Sequence, residues 1–133
     1  MSKAIIMTET GSPEVLEWKD FDPRKPGEGE VLLGHEAVGL NFIDVYHRTG
    51  LYPLPSIPAI PGMEGAGIVE STGPNVTEVN IGDRVAYAGL PPGAYAEKRI
   101  IPAHRLVKLP DEISSIQAAS MMLQGMTARY RSF

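Results

Sequence analysis

The sequence predicts one α+β domain, mainly β, folded as a small partly open barrel with short helices and a C-terminal helical segment. Three observations carry that expectation. The chain has 133 residues, the size of a single domain that buries roughly two thirds of the surface its unfolded chain exposes. Its 14 glycines and 12 prolines exceed what a helical bundle tolerates and suit many short strands joined by tight turns. Strand-like segments come first and the one long helical stretch comes last, an order that packs as a single layered core.

Taken in order, Lys3 to Thr8 and Glu14 to Lys19 read as two strands, with Thr10-Gly11-Ser12-Pro13 as the turn of a hairpin. Asp22 to Glu30, rich in proline, glycine and charge, is a solvated loop ahead of a longer strand, Glu30 to Gly39, with Val31, Leu33, His35 and Ala37 on one face. Phe42 to Arg48 fits about two helical turns, with Asn41 in the N-cap position and Gly50 ending them. A proline-rich loop (Pro53, Pro55, Pro58, Pro61) leads into a glycine-punctuated strand, Gly65 to Glu70. Turns at Gly73-Pro74-Asn75 and at Asn80 to Asp83 precede a strand from Arg84, and two more strands flank Pro102. Ser114 to Tyr130 is the long helical stretch, capped by Ser114 or Ser115 and interrupted near Gly125.

Composition narrows the function classes. With 43% hydrophobic and 21% charged residues the chain reads as soluble and globular, not disordered or membrane-embedded. A net charge of −4, from 12 basic and 16 acidic residues, argues against a general electrostatic hold on nucleic acid. The absence of cysteine removes disulfides, thiolate zinc ligands and a Cys nucleophile, and fits a reducing cytoplasm. The N-terminus turns polar too quickly for a signal peptide, and no apolar run approaches the roughly 20 residues of a membrane span.

Most of the interpretable chemistry lies between Asn41 and Gly67. Asn41, Asp44, Tyr46 and Tyr52 are spaced so that a short helix could aim several polar groups into one cleft, although Asn41 also suits a simple cap and Asp44 a first-turn acid. Glu64 stands among glycines and apolar residues; pairing with Arg48 or Arg84 and a catalytic role are both open. Asp83 and Arg84 read as turn and strand-start chemistry. Lys98, Arg99, His104, Arg105 and Lys108 make the most basic stretch, read as a solvated strand face, with phosphate or nucleic-acid contact as the sharper alternative. Met121, Met122, Leu123 and Met126 read as core or interdomain packing. His35, His47 and His104 have no paired spacing, so no metal site is expected.

The run NFIDVYHRTGLYP, followed in order by PGMEGAGIV, GDRV and LQGMTARY, resembles the zinc-independent quinone oxidoreductases, the zeta-crystallin group of the medium-chain dehydrogenase/reductase superfamily. The resemblance runs from about Gly11 to Tyr130. It implies a GroES-like catalytic-side domain over residues 1–112, with residues 113–133 beginning the helical connection to a dinucleotide-binding Rossmann domain whose Gly-x-Gly-x-x-Gly turn this sequence does not contain. Where the zinc-dependent branch carries a cysteine ligand this chain has Asn41, and where that branch has Gly-His-Glu it has Met63 after Gly62.

The implied activity is hydride transfer from NADPH to a quinone without zinc. The resemblance points to Asn41 and Tyr52 as catalytic groups; to Asn41, Asp44, Tyr46, Gln124 and Thr127 as cofactor contacts; and to Glu64 and Arg84 as structural or cleft residues. Weak or no NADPH binding is expected of these 133 residues alone, because the missing domain would hold the adenosine and pyrophosphate. The rival class is a noncatalytic module, self-associating through an exposed Met121 to Met126 surface as a homo-oligomer. RNA binding, which some zeta-crystallins show, ranks last because the chain is acidic.

Overall fold

The structure, a computed structural model, describes residues 2–51, 57–89 and 91–119. Among these residues it holds a two-stranded sheet and a five-stranded sheet, neither closed on itself, with a short α-helix inserted between two strands of the larger sheet. The mainly-β, partly open architecture expected of the sequence is the one observed.

Strands β1 (Lys3–Ile6) and β2 (Glu17–Asp20) form the predicted antiparallel hairpin, with Ile5 opposite Trp18. The second strand begins three residues later than its sequence suggests. Pro13–Val15 instead close one 3₁₀ turn, for which the fixed backbone of Pro13 is suited. The hairpin is tied to the main sheet by the Ile5 N–H donating to the Tyr95 carbonyl (2.7 Å) and the Glu97 N–H donating to the Lys3 carbonyl (2.8 Å).

The larger sheet is built from β3 (Glu30–Val38), β4 (Glu64–Thr72), β5 (Arg84–Ala88), β6 (Lys98–Pro102) and β7 (Val107–Lys108), in the antiparallel order β6-β3-β4-β5-β7. Period-two alternation sends Val31 and Leu33 of β3, Val69 of β4, Val85 and Tyr87 of β5 and Ile101 of β6 to one face, where they form the main core. At the start of β4 the sheet is covered on both sides. Ala66 and Ala86 meet Ala118 and Ala119 of the helical turns at 115–119, and small side chains let that helix lie close to the sheet. Ser114 caps it: the Gln117 N–H donates to Ser114 Oγ (3.1 Å) and the Ser114 N–H to Gln117 Oε1 (3.0 Å). Arg84 donates to the Ile113 carbonyl (2.7 Å) and Ser115 Oγ to Glu36 Oε1 (2.6 Å), so the chain beyond residue 112 starts out bonded to the sheet.

Between β3 and β4 lies α1 (Phe42–Thr49), with Asn41 at its N-cap and Gly50, at φ 90°, ending it in the left-handed conformation. Among the described residues no helix is long and apolar enough to cross a membrane.

Candidate functional site

The polar residues at the start of α1 are brought against the first residue of β4. The Asn41 side-chain amide donates through Nδ2 to Glu64 Oε1 (3.1 Å), and Glu64 is buried. A carboxylate can only accept, so this contact fixes which end of the amide faces it. The Asp44 carboxylate, one turn into the helix, accepts from the Asn41 backbone N–H (3.1 Å) as in a capping box. It also accepts from the Tyr95 hydroxyl (2.6 Å), which arrives from the segment preceding β6. Its other oxygen, Oδ1, is buried with no partner.

Glycine makes this corner possible at one point. A Cβ on Gly39 would collide with both the Glu64 carboxylate and the Ala119 carbonyl, so the end of β3, the acid of β4 and the helical turns at 115–119 converge on a residue without a side chain. Burial pushes the Tyr95 hydroxyl above the ordinary phenol range, and the bond to Asp44 and its negative charge push the same way, so Tyr95 keeps its proton and donates. His47, on the same inward face of α1 as Asp44, has its pKa lowered by burial while Asp44 opposes the shift; its Nδ1 is buried without a partner.

The candidates read from the sequence are therefore divided. Asn41, Asp44 and Glu64 meet in one corner. Tyr46 points to the other side of α1 and is 37% exposed beside Val45, as two residues' separation on a helix requires. Tyr52, Gln124 and Thr127 lie outside the described residues, as do Met121, Met122, Leu123 and Met126. Glu64 does not take the arginine partners weighed for it: Arg48 donates to the Gly11 carbonyl (2.8 Å) and Arg84 to that of Ile113. Arg84 thus acts as a clamp on the chain after β7.

The solvated basic face expected over residues 98–108 is also corrected. Strand pairing sets Arg99 opposite Leu33 and Ile101 opposite Val31, so Arg99 faces inward and is only 5% exposed. Lys98 pairs with Glu70 (2.9 Å) and Lys108 with Asp83 (3.4 Å). The Arg99 guanidinium lies over the Tyr87 ring, 5.1 Å from its centroid. Tyr87 in turn meets His35: His35 Nδ1 donates to the Ala96 carbonyl (2.7 Å), which leaves Nε2 to accept from the Tyr87 hydroxyl (2.7 Å). Burial lowers the His35 pKa to about 4, so the ring is neutral at physiological pH. Tyr95 and Tyr87 were missed by reading the sequence, and Arg99 was read only as part of a solvated basic face. For Arg99 the signal was present as period-two alternation with Ile101; for the tyrosines it lay in pairings across 51 and 52 residues of chain.

Among the described residues no group of three or more His, Asp or Glu side chains converges as a metal site. The open antiparallel sheet, with one short helix leading into a buried carboxylate at the head of β4, defines the class. Residues 27–111 match the alcohol dehydrogenase GroES-like domain, and the chain belongs to that family. Several of its relatives there are quinone oxidoreductases, and others include a 2-haloacrylate reductase of Burkholderia. It is 51% identical to the quinone oxidoreductase of Pseudomonas aeruginosa over 130 residues, which are 98% of this chain and 40% of that protein. It superposes on the quinone oxidoreductase of Pseudomonas syringae with a TM-score of 0.95 at 51% identity, covering 98% of this chain and 40% of the other. On the Escherichia coli quinone oxidoreductase complexed with NADPH the TM-score is 0.93 at 44% identity, covering 96% of this chain and 39% of that one. The chain thus spans about 40% of the length of the relatives it matches.

Proposed function

We propose that these residues form the catalytic-side domain of an NADPH-dependent quinone oxidoreductase that works without zinc. The observation that carries this reading is the Asn41 amide, fixed by Glu64 at the head of α1, which places a neutral hydrogen-bonding group where a metal-binding relative would place a thiolate. The identity to quinone oxidoreductases, one of them complexed with NADPH, supports it.

The donor set suits the nicotinamide end of the cofactor: an amide able to donate and accept, beside a carboxylate with an unused oxygen. Bound NADPH supplies the hydride. The chain's own residues bind and orient. Asn41 contacts the cofactor, and by the resemblance Gln124 and Thr127 are further contacts. Asp44 and Glu64 hold Asn41 by its backbone and by its side chain, and Tyr95 holds Asp44. Tyr52 donates a hydrogen bond to the quinone oxygen that gains charge as hydride arrives. The 133 residues alone bind NADPH weakly and oxidise none, since the sequence offers no glycine-rich turn for the pyrophosphate.

The test is NADPH oxidation with a simple quinone, followed by absorbance, in a quinone oxidoreductase that contains these residues ahead of a dinucleotide-binding domain. Asn41→Ala and Tyr52→Phe are each expected to lower kcat about tenfold or more. Unchanged turnover in both variants would remove the assignment, as would micromolar NADPH affinity in the 133-residue chain by itself. A second reading is self-association through a Met121 to Met126 surface, residues that lie outside those described. Light scattering that shows a monomer at all concentrations excludes it.

A further inference from the structure

Away from the Asn41 corner, the structure holds a cation without a counter-ion. Arg99 is 5% exposed, and its guanidinium carries five N–H donors and no acceptor. Its Nη2 donates to the carbonyls of Pro91 (3.1 Å) and Pro92 (3.3 Å) and its Nε to that of Ile100 (3.3 Å), while Nη1 is buried with no partner. No carboxylate among the described residues forms an ion pair with it. Carbonyl dipoles and an aromatic face offset part of the desolvation of a full charge; an unused N–H on a buried cation leaves part of it uncompensated.

Arg99 lines a cavity of about 520 Å³ whose walls are otherwise mainly apolar, with Ile6, Phe21, Pro58, Ile60 and Pro92 among them. The guanidinium packs against Gly93, also in the wall, where φ is 145° and a Cβ would stand 3.0 Å from Arg99 Cζ. Arg24, the other cation of the lining, is already held by both oxygens of Glu30 (2.7 and 3.0 Å). The space exceeds what an inorganic ion or a single water fills and falls in the range of small-molecule sites. None of Asn41, Asp44, Glu64 and Tyr95 lines it.

We propose that this cavity binds a small monocarboxylate with an apolar body, such as an aromatic acid, its carboxylate paired to Arg99 and its ring against the apolar walls. One unpaired guanidinium calls for one anionic group, and the apolar lining calls for the rest of the ligand. An inorganic phosphate would satisfy the charge and leave the apolar wall uncovered.

The test is titration of the purified chain with sodium benzoate, followed by the amide NMR signals of Gly93 and Ile100 and by the thermal midpoint. Benzoate is expected to shift both signals along a saturating isotherm and to raise the midpoint. Benzamide, the neutral counterpart, and inorganic phosphate should each bind at least about tenfold more weakly. Arg99→Gln should weaken benzoate at least about tenfold. Should that variant fail to fold, Ile60→Trp, which fills the cavity and leaves Arg99 in place, should abolish the isotherm. The proposal is overturned by an absence of saturation up to about 50 mM benzoate, by benzamide or phosphate binding as tightly as benzoate, or by an Ile60→Trp chain that binds benzoate unchanged.

Discussion

The corner at the head of α1 and the cluster beneath β6 are both buried and polar, and they handle charge in opposite ways. In the corner, two carboxylates, Asp44 and Glu64, are set against neutral donors: the Asn41 amide, the Asn41 backbone N–H and the Tyr95 hydroxyl. In the cluster, one guanidinium is set against a ring and three carbonyls. The acids and the base are not paired with each other. The ion pairs that do form, such as Lys98 with Glu70 and Lys3 with Asp20, are partly exposed and contribute little to stability. A buried salt bridge would have neutralised both regions internally. Keeping them apart leaves an amide oriented by Glu64 in one place and a buried guanidinium with one nitrogen unpartnered in the other.

The largest expected effect that separates the two regions is a pH dependence on the Arg99 side. His35 is neutral in the folded chain because burial lowers its pKa from 6.5 to about 4, with Arg99 opposing protonation as well. A depressed folded pKa means that the unfolded chain takes up the proton first. The full stability is present above about pH 6.5 and falls by about 3 kcal/mol as the pH drops through about 4. His47 shifts in the same direction, so the comparison must be made against His35→Gln, which removes only the first group. Urea unfolding at pH 7 and at pH 4.5 measures the difference. A native chain that loses no more stability over that interval than His35→Gln would break this account of the cluster.

On the acidic side, Tyr95→Phe sharpens the contrast. The phenol keeps its proton and donates to Asp44, which is 5% exposed and already has one oxygen without a partner. Removing the hydroxyl leaves the carboxylate one donor, and the loss of a hydrogen bond to a charged group costs about 2 kcal/mol. Because Tyr95 also anchors the hairpin through its carbonyl, the same variant should leave hydrogen exchange at Ile5 unaltered. Faster exchange there would mean that the hydroxyl supports the whole segment and not the corner alone.

The elements that could be read in the sequence are those set by neighbours a few residues away. The hairpin at Gly11, the helix between Asn41 and Gly50 and the turn at Asn80 to Asp83 follow from local turn and cap chemistry. The Ser114 cap followed from the same rules. What could not be read was set by pairing at long range. Glu64 looked unpaired along the chain and invited Arg48 or Arg84, yet it takes Asn41, 23 residues away, because β4 returns alongside β3 and delivers its first residue to the helix start. Arg99 looked like one of five basic residues on a solvated strand. Its inward direction follows only once β6 is registered against Val31 and Leu33.

Asn41 gives the smallest effect and the finest discrimination, because two explanations of it predict different orders among its variants. As an N-cap alone, Asn41→Asp should be nearly neutral, since aspartate serves that position as well as asparagine, while Asn41→Ala should cost about 1 kcal/mol. The amide, however, donates to a buried Glu64. An aspartate there would present oxygen to oxygen and add a second negative charge next to the first, which disfavours both. If the Glu64 contact governs the position, Asn41→Asp is therefore the more destabilised of the two at neutral pH, and it recovers as the pH falls and one carboxyl takes a proton. Urea unfolding of both variants at pH 7 and pH 5 decides between the orders. Equal stability of Asn41→Asp and the native chain at pH 7 would reduce Asn41 to a cap, and with it the claim that Glu64 orients a group for the cofactor.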